Sequence, residues 1–216
     1  MQLLIFGATG ATGHQLVRQA LEQGHAVTAF VRDPARLRIS HALLRHVVGD
    51  AMNAASVAGV VAGHDAVLCA LGNMPEGKED LVRRQRGVPV CSVGTGHIVA
   101  AMARSSVRRI VVESSAGVGE SRATGQFGSS FVLHLLLGDV MADKERQETL
   151  VRGSTLDWTI VRPAKLNNRP AKGRSRSGDS LSWNLASSAS RADVAAFMLT
   201  SLADTSTKGR AITVRD

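Results

Sequence analysis

Short apolar runs recur along the chain, and between them apolar residues return every three or four positions. The runs at Gln2–Phe6, Ala26–Val31, His46–Val48, Ala66–Leu71, Arg109–Glu113 and Trp158–Arg162, with a late one at Ala211–Val214, predict strands. The helical period predicts helices over His14–Gln23, Pro34–Leu44, Ala54–Val61, Gly96–Ser105, Phe131–Arg152 and Arg191–Leu202. Strands alternating with helices imply βαβ units, hence an α/β chain with a parallel sheet covered on both faces. Gly24 and Gly153 stand where helices end, and Asp33-Pro34 has the form of a helix N-cap with proline in the first turn. With no repeat and no linker, residues 1–216 read as a single domain. Loops around 73–95, 114–130 and 163–190 are expected on the side of the strand C-termini, where open α/β sheets bind ligands.

The first strand runs straight into Gly7-Ala8-Thr9-Gly10-Ala11-Thr12-Gly13 and then into a helical stretch. Glycine weakens both elements, so three of them in succession need a local reason. In a Rossmann-type, doubly wound sheet, Gly7 allows the tight turn, Gly10 lets a pyrophosphate approach the backbone, and Gly13 lets the helix pack on the strand. Arg32 ends the second strand and Arg36 follows one helical turn later. Guanidinium groups there suit the 2′-phosphate of NADP(H), which is favoured over NAD(H). Asp33, one residue along, is the competing acceptor for a ribose hydroxyl. Asp50, in "VVGD", is either an acceptor for the adenine amino group or the cap of the following helix. Gly72 closes "DAVLCALG", where a missing side chain admits the cofactor ribose.

Composition narrows the partners. An apolar content of 44% and a mean hydropathy of +0.03 describe a soluble globular chain. The start lacks the basic region and apolar core of a secretory leader, and Phe131–Leu137, broken by His134, is too short to span a bilayer. Cys69 and Cys91 have no metal-ligand spacing and are expected to stay reduced in a cytoplasm. The seven histidines form no ligand pairs at helical spacing, so no metal site is expected. A net charge of +8 fits nucleic acid, but with 3% aromatics there is little to stack bases on. The basic cluster at 167–178 therefore reads as a solvated or anion-binding loop, and phosphorylated small molecules suit the charge better.

Taken together, "IFGATGATG", "VRDPARL", "VVGD", "DAVLCALG", "IVAAM", "SSA", "TLDWTIVRPAKL" and "SRADVAAFMLTSL" resemble the atypical short-chain dehydrogenase/reductase superfamily. The likeness is to NAD(P)-binding proteins of the biliverdin reductase B/flavin reductase and nitrogen-metabolite-repression-regulator types. It covers most of the chain and is weakest over 73–95 and 117–138. The resemblance implies pyrophosphate contacts at Gly7, Thr9, Gly10, Ala11 and Thr12, and 2′-phosphate contacts at Arg32 and Arg36. It further implies adenine contacts at Asp50 and Ala51, ribose contacts at Leu71 and Gly72, and a segment Pro163, Ala164, Lys165 and Leu166 closing over the nicotinamide. Ser115 matches the hydroxyl beside nicotinamide and acceptor.

Most of that superfamily uses Tyr-x-x-x-Lys, whose i, i+4 spacing sets a proton-relaying phenol and an ammonium on one helix face. This chain has no tyrosine; Val140 occupies that position, and Lys144 stands where the lysine is expected. Ketone–alcohol chemistry has thus lost its acid, whereas a flavin or quinone takes hydride directly and its protons from water. An NADPH-dependent reductase of such a planar acceptor is the first expectation, with Lys144 holding the nicotinamide ribose and Ser115, or alternatively Ser114, bonding the carboxamide or acceptor. The ordinary alternative for Lys144 is a surface residue paired with Glu148. Trp183 is either core or a candidate for stacking on the acceptor ring. The rival is a non-catalytic NADP(H) sensor that signals through a protein partner, for which Phe131–Met141 offers an apolar surface if it is not core. A sugar-nucleotide epimerase or dehydratase comes third.

Overall fold

The structure is a computed structural model that describes residues 1–72, 88–173 and 175–216. Strand β1 (Gln2–Phe6) pairs in parallel with β2 (Ala26–Val31) on one side and β4 (Ala66–Cys69) on the other. Both of its faces are covered, and Leu3 to Phe6 have no exposed surface. The sheet continues through β3 (Leu44–Val48), β5 (Arg109–Glu113), β6 (Asp157–Pro163) and β10 (Arg210–Arg215). Short β8 (Arg176–Gly178) is antiparallel to β10. Among the described residues the order is β3-β2-β1-β4-β5-β6-β10-β8, a Rossmann-type sheet whose direction of winding reverses between β1 and β4. A separate two-stranded piece pairs β7 (Lys165–Asn167) with β9 (Ser188–Ser190).

Alternation along each strand divides the core into two layers. Leu3, Ile5, Val111 and Val161 meet Leu16, Val17 and Ala20 of α1 (Ala11–Glu22), and Val194 and Met198 of the C-terminal helix (Arg191–Ala203). Leu4, Phe6, Ile110 and Val112 meet the other layer of helices. These are α2 (Ala54–Val61), α3 (Val90–Ala103) and α4 (Ser129–Arg152); the C-terminal helix is α5. The first layer also takes in charge from β5. Arg109 is buried on β5, and its guanidinium donates to Asp157 O (2.7 Å), Thr159 Oγ1 (2.8 Å) and Ser201 O (2.5 Å).

Several expectations are corrected. Pro34–Leu44 is no helix: Asp33 caps a single 3₁₀ turn, Pro34–Arg36, and Arg38 then takes a positive φ of 44°. The cap and proline are present, but only Leu37 in the following stretch is buried, so no apolar face holds a helix down. Helix α3 starts at Val90 rather than Gly96, so 88–95 is in large part helical and 73–87 lies outside the described residues. The loop at 114–130 holds a 3₁₀ turn, Gly119–Arg122, and the one at 163–190 holds β7, β8 and β9. The Phe131–Met141 stretch is core only at its end. Met141 is buried, but Phe131, Leu135 and Leu136 are exposed, as is Phe127 just before the helix. No helix among the described residues is long and apolar enough to cross a membrane.

Candidate functional site

The C-terminal ends of β1, β2, β4 and β5 bring the site together. After Phe6 the chain turns at Gly7, with φ +76°, and Gly10 N–H donates to Gly7 O at 2.9 Å. A Cβ on Gly7 would lie 2.3 Å from Ala70 O, and one on Gly13 would lie 2.0 Å from Gly7 O. Gly7 therefore lets β1 and β4 close up, and Gly13 lets α1 seat on the turn. A Cβ on Gly10 would meet only Gly7 O, at 3.2 Å, so nothing else crowds that residue. Helix α1 starts with no side-chain cap, which leaves its first-turn N–H groups and their partial positive charge free for an anion.

At the end of β2, Arg32 and Arg36 are exposed, and among the described residues neither guanidinium has an ion-pair or hydrogen-bond partner. Asp33 is occupied: its Oδ1 accepts from Ala35 N–H at 3.0 Å. Asp50 does not cap α2, because Asn53 does so by accepting from Ser56 N–H. Instead Asp50 Oδ1 accepts from Met52 N–H at 3.0 Å and shapes the turn beside Ala51. Ala51 is buried, and its carbonyl accepts from His97 Nδ1 at 2.9 Å, so that ring nitrogen carries the proton. Leu71 is buried, whereas a Cβ on Gly72 would meet nothing within 4 Å among the described residues.

Lys144 is not the surface residue of the ordinary reading. It is 6% exposed, and its Nζ donates to Glu113 O (2.6 Å) and Leu71 O (3.0 Å), tying together the ends of β5 and β4. Burial opposes its charge, but Cys91, Glu113 and Cys69 favour it, and the pKa is raised. Glu148 belongs elsewhere: it pairs with buried Arg162 at 2.5 Å and accepts from Ser114 Oγ at 2.6 Å. That network consumes Ser114. Ser115 is half-buried, and among the described residues its hydroxyl bonds only the carbonyl of Ala116, at 3.1 Å, so it is the more available hydroxyl. Next to β5, β6 runs through Pro163; Ala164 is buried, Leu166 half-buried and Lys165 exposed. Trp183 is corrected: it is buried, its Nε1 donates to Ser121 O at 2.7 Å, and its ring lies against Gly117 and Gly125. It pins loops and presents no face for stacking.

Glu113 was not singled out by sequence reasoning. It ends β5 buried, and Oε1 accepts from Thr12 Oγ1 at 3.0 Å. Burial raises its pKa, partly offset by Lys144, the Thr12 hydrogen bond and Arg191. The available signal was parity: Arg109, Val111 and Glu113 share one face of a central strand, so both charged ends point into a helix layer.

These features fit a dinucleotide. Among the described residues, the turn has the glycines for close approach, the helix start has no side-chain cap, nothing crowds Gly72, and two guanidinium groups without partners stand at the end of β2. No group of histidine, cysteine, aspartate and glutamate residues that could hold a metal ion occurs among the described residues.

Comparison with known proteins agrees with the geometry. A family model described as NAD(P)H-binding matches residues 7–205. An uncharacterised chloroplastic protein of Arabidopsis thaliana is 33% identical over 80% of this chain and 61% of its own. The chain spans only 32% to 61% of the length of the curated relatives it matches. Among solved structures, ChuY, an anaerobilin reductase from Escherichia coli O157:H7, superposes with a TM-score of 0.78 at 20% identity, over 99% of this chain and 96% of that one. A short-chain dehydrogenase/reductase from Veillonella parvula in complex with NADP gives 0.76 at 20% identity, over 100% and 94%.

Proposed function

The chain belongs to the NAD(P)H-binding family, and from that premise we propose that it is an NADPH-dependent reductase of a flavin, quinone or similar planar acceptor. The observation that carries this reading is on α4, where Val140 replaces the phenol and Lys144 is fixed between two carbonyls. A site so built can hold a nicotinamide and an acceptor in contact, but it has no phenol to protonate a ketone oxygen. When bound, the cofactor supplies the hydride. The chain's own work is to bind, orient and exclude water. The turn of Gly7 to Gly13 receives the pyrophosphate, Arg32 and Arg36 the 2′-phosphate, and Asp50, Ala51, Leu71 and Gly72 line the adenosine and ribose side. Lys144 fixes the floor under the nicotinamide ribose, Ser115 bonds the carboxamide or acceptor, and Pro163 to Leu166 cover them.

The superposition on an anaerobilin reductase and on an NADP complex supports a reductase on this fold. Steady-state assays with NADPH and FMN, riboflavin or a small quinone should show turnover above the uncatalysed background. NADPH should bind at least about tenfold more tightly than NADH, the worth of one good charge-assisted contact. Binding without turnover of any of these acceptors would favour the second reading, a dinucleotide sensor. The exposed side chains of Phe127, Phe131 and Leu135 favour that alternative, since a protein partner would cover them.

A further inference from the structure

We propose that Glu113 is a positioning residue for the phosphate-binding turn: through Thr12 it decides whether the turn offers a hydroxyl donor to a dinucleotide phosphate, and binding draws a proton onto its carboxyl group. The inference rests on the reading of the glycine turn as the phosphate site.

Thr12 is the second residue of α1, inside the first turn, and Glu113 reaches it from the end of the neighbouring layer's central strand. Their oxygens are 3.0 Å apart and both residues are buried. The other groups facing this carboxyl come from three elements: Lys144 on α4, Arg191 at the start of α5, and the Cys69 thiol at the end of β4. Lys144 is committed to the carbonyls of Leu71 and Glu113, and Arg191 donates to Asn168 Oδ1 at 2.7 Å.

A hydroxyl has a single proton to give. An ionised carboxylate can only accept, so with Glu113 charged the Thr12 proton points inward, and the Thr12 hydroxyl, unlike the backbone N–H groups of the turn, shows a phosphate oxygen only lone pairs. With Glu113 protonated, its O–H donates to Thr12 Oγ1, and the threonine proton is free to turn toward the phosphate. The two arrangements differ by one proton, taken from solvent and held on a Glu113 oxygen, while the heavy atoms stay in place.

Electrostatics act in the same direction. Burial already disfavours the charged carboxylate, and a pyrophosphate brought to the turn disfavours it further. A group whose pKa rises on binding makes affinity greatest below its pKa in the free protein and weakest above its pKa in the complex.

Titration calorimetry of NADP⁺ into the full chain, from about pH 5 to about pH 9 in buffers of differing ionisation enthalpy, tests this. Wild type should lose affinity as pH rises, by at most about tenfold per pH unit, and take up as much as about one proton through the transition. Glu113→Gln keeps a donor for Thr12 at every pH, so it should remove that component and bind more tightly than wild type at the alkaline end. The titration of the 2′-phosphate is common to both proteins and cancels in the comparison. Thr12→Val should lose the part of the pH dependence carried by the hydroxyl and fall more shallowly than wild type, and Thr12→Ser should restore the wild-type profile. Identical profiles and proton uptake in wild type and Glu113→Gln would overturn the proposal while leaving the phosphate site standing. If Glu113→Gln does not fold, a Thr12→Val profile that matches wild type overturns it instead. No association of NADP⁺ with wild type at millimolar concentration would overturn the phosphate site and this inference together.

Discussion

Gly10 and Gly13 lie three residues apart in one turn, yet the structure separates their duties. A Cβ at position 13 would collide with Gly7 O, whereas at position 10, where φ is −75°, it meets only a 3.2 Å neighbour. Gly13→Ala should therefore destabilise by about 1–3 kcal/mol or more through overpacking, seen as a lower Tm. Gly10→Ala should melt within a few degrees of wild type and still lose at least about tenfold in dinucleotide affinity, read by calorimetry, because its methyl group stands where the phosphate approaches. The glycine pattern was legible because each glycine meets a constraint within its own neighbourhood. Glu113 and Trp183 were not, since their surroundings are assembled from distant segments: Thr12 lies 101 residues from Glu113, and Ser121 lies 62 from Trp183. A tryptophan in a serine-rich loop looks available until its ring is found against Gly117 and Gly125.

The elements whose ends were read correctly carry their own signals, and α3 shows what happens when they do not. Pro89 precedes it and gives no side-chain cap. The cap comes from α4, where Asp143 accepts from Cys91 N–H (2.8 Å), Ser92 N–H (3.1 Å) and Ser92 Oγ (2.5 Å). Nothing near position 90 announces a helix whose cap is lent from 51 and 52 residues downstream, and Gly94 and Gly96 argue locally against one. Asp143→Ala should cost about 1–2 kcal/mol, as loss of an N-cap does, measured by denaturant unfolding. The same substitution frees the N-terminal turn of α3, so amide exchange there should quicken more than in α5. The absent helix at 34–44 is the converse case: a cap and a proline promise a helix, but without a buried stripe the promise ends after one turn.

Across the molecule, the parallel sheet covered on both faces followed from strands alternating with helices, while the short strands in the closing loops beyond β6 did not. Those loops are held by polar bonds rather than by an apolar period. Asp193 accepts from the N–H groups of Lys172 and Gly173 and from Ser190 Oγ, fastening the segment after β7 to the start of α5. Burial raises the Asp193 pKa, but these three donors and the nearby Lys172 outweigh it, so the folded value is depressed. A depressed value means stability that is full above the unfolded pKa of about 3.9 and is lost as pH falls through the folded one. Asp193→Asn should therefore lower stability at pH near 7 and lose less than wild type on acidification to about pH 3, as followed by urea titration.

Arg109 sets an order of events during synthesis. Its guanidinium sits on a strand in the middle of the sheet, but two of its acceptors, Ser201 O and Thr207 Oγ1, lie 92 and 98 residues further along. A nascent chain that has emerged only through β6 offers that cation Asp157 O and Thr159 Oγ1 but not its last two acceptors, so its burial is still incompletely compensated. The layer around Arg109 therefore gains its full set of bonds only once the last helix and the turn after it have been made.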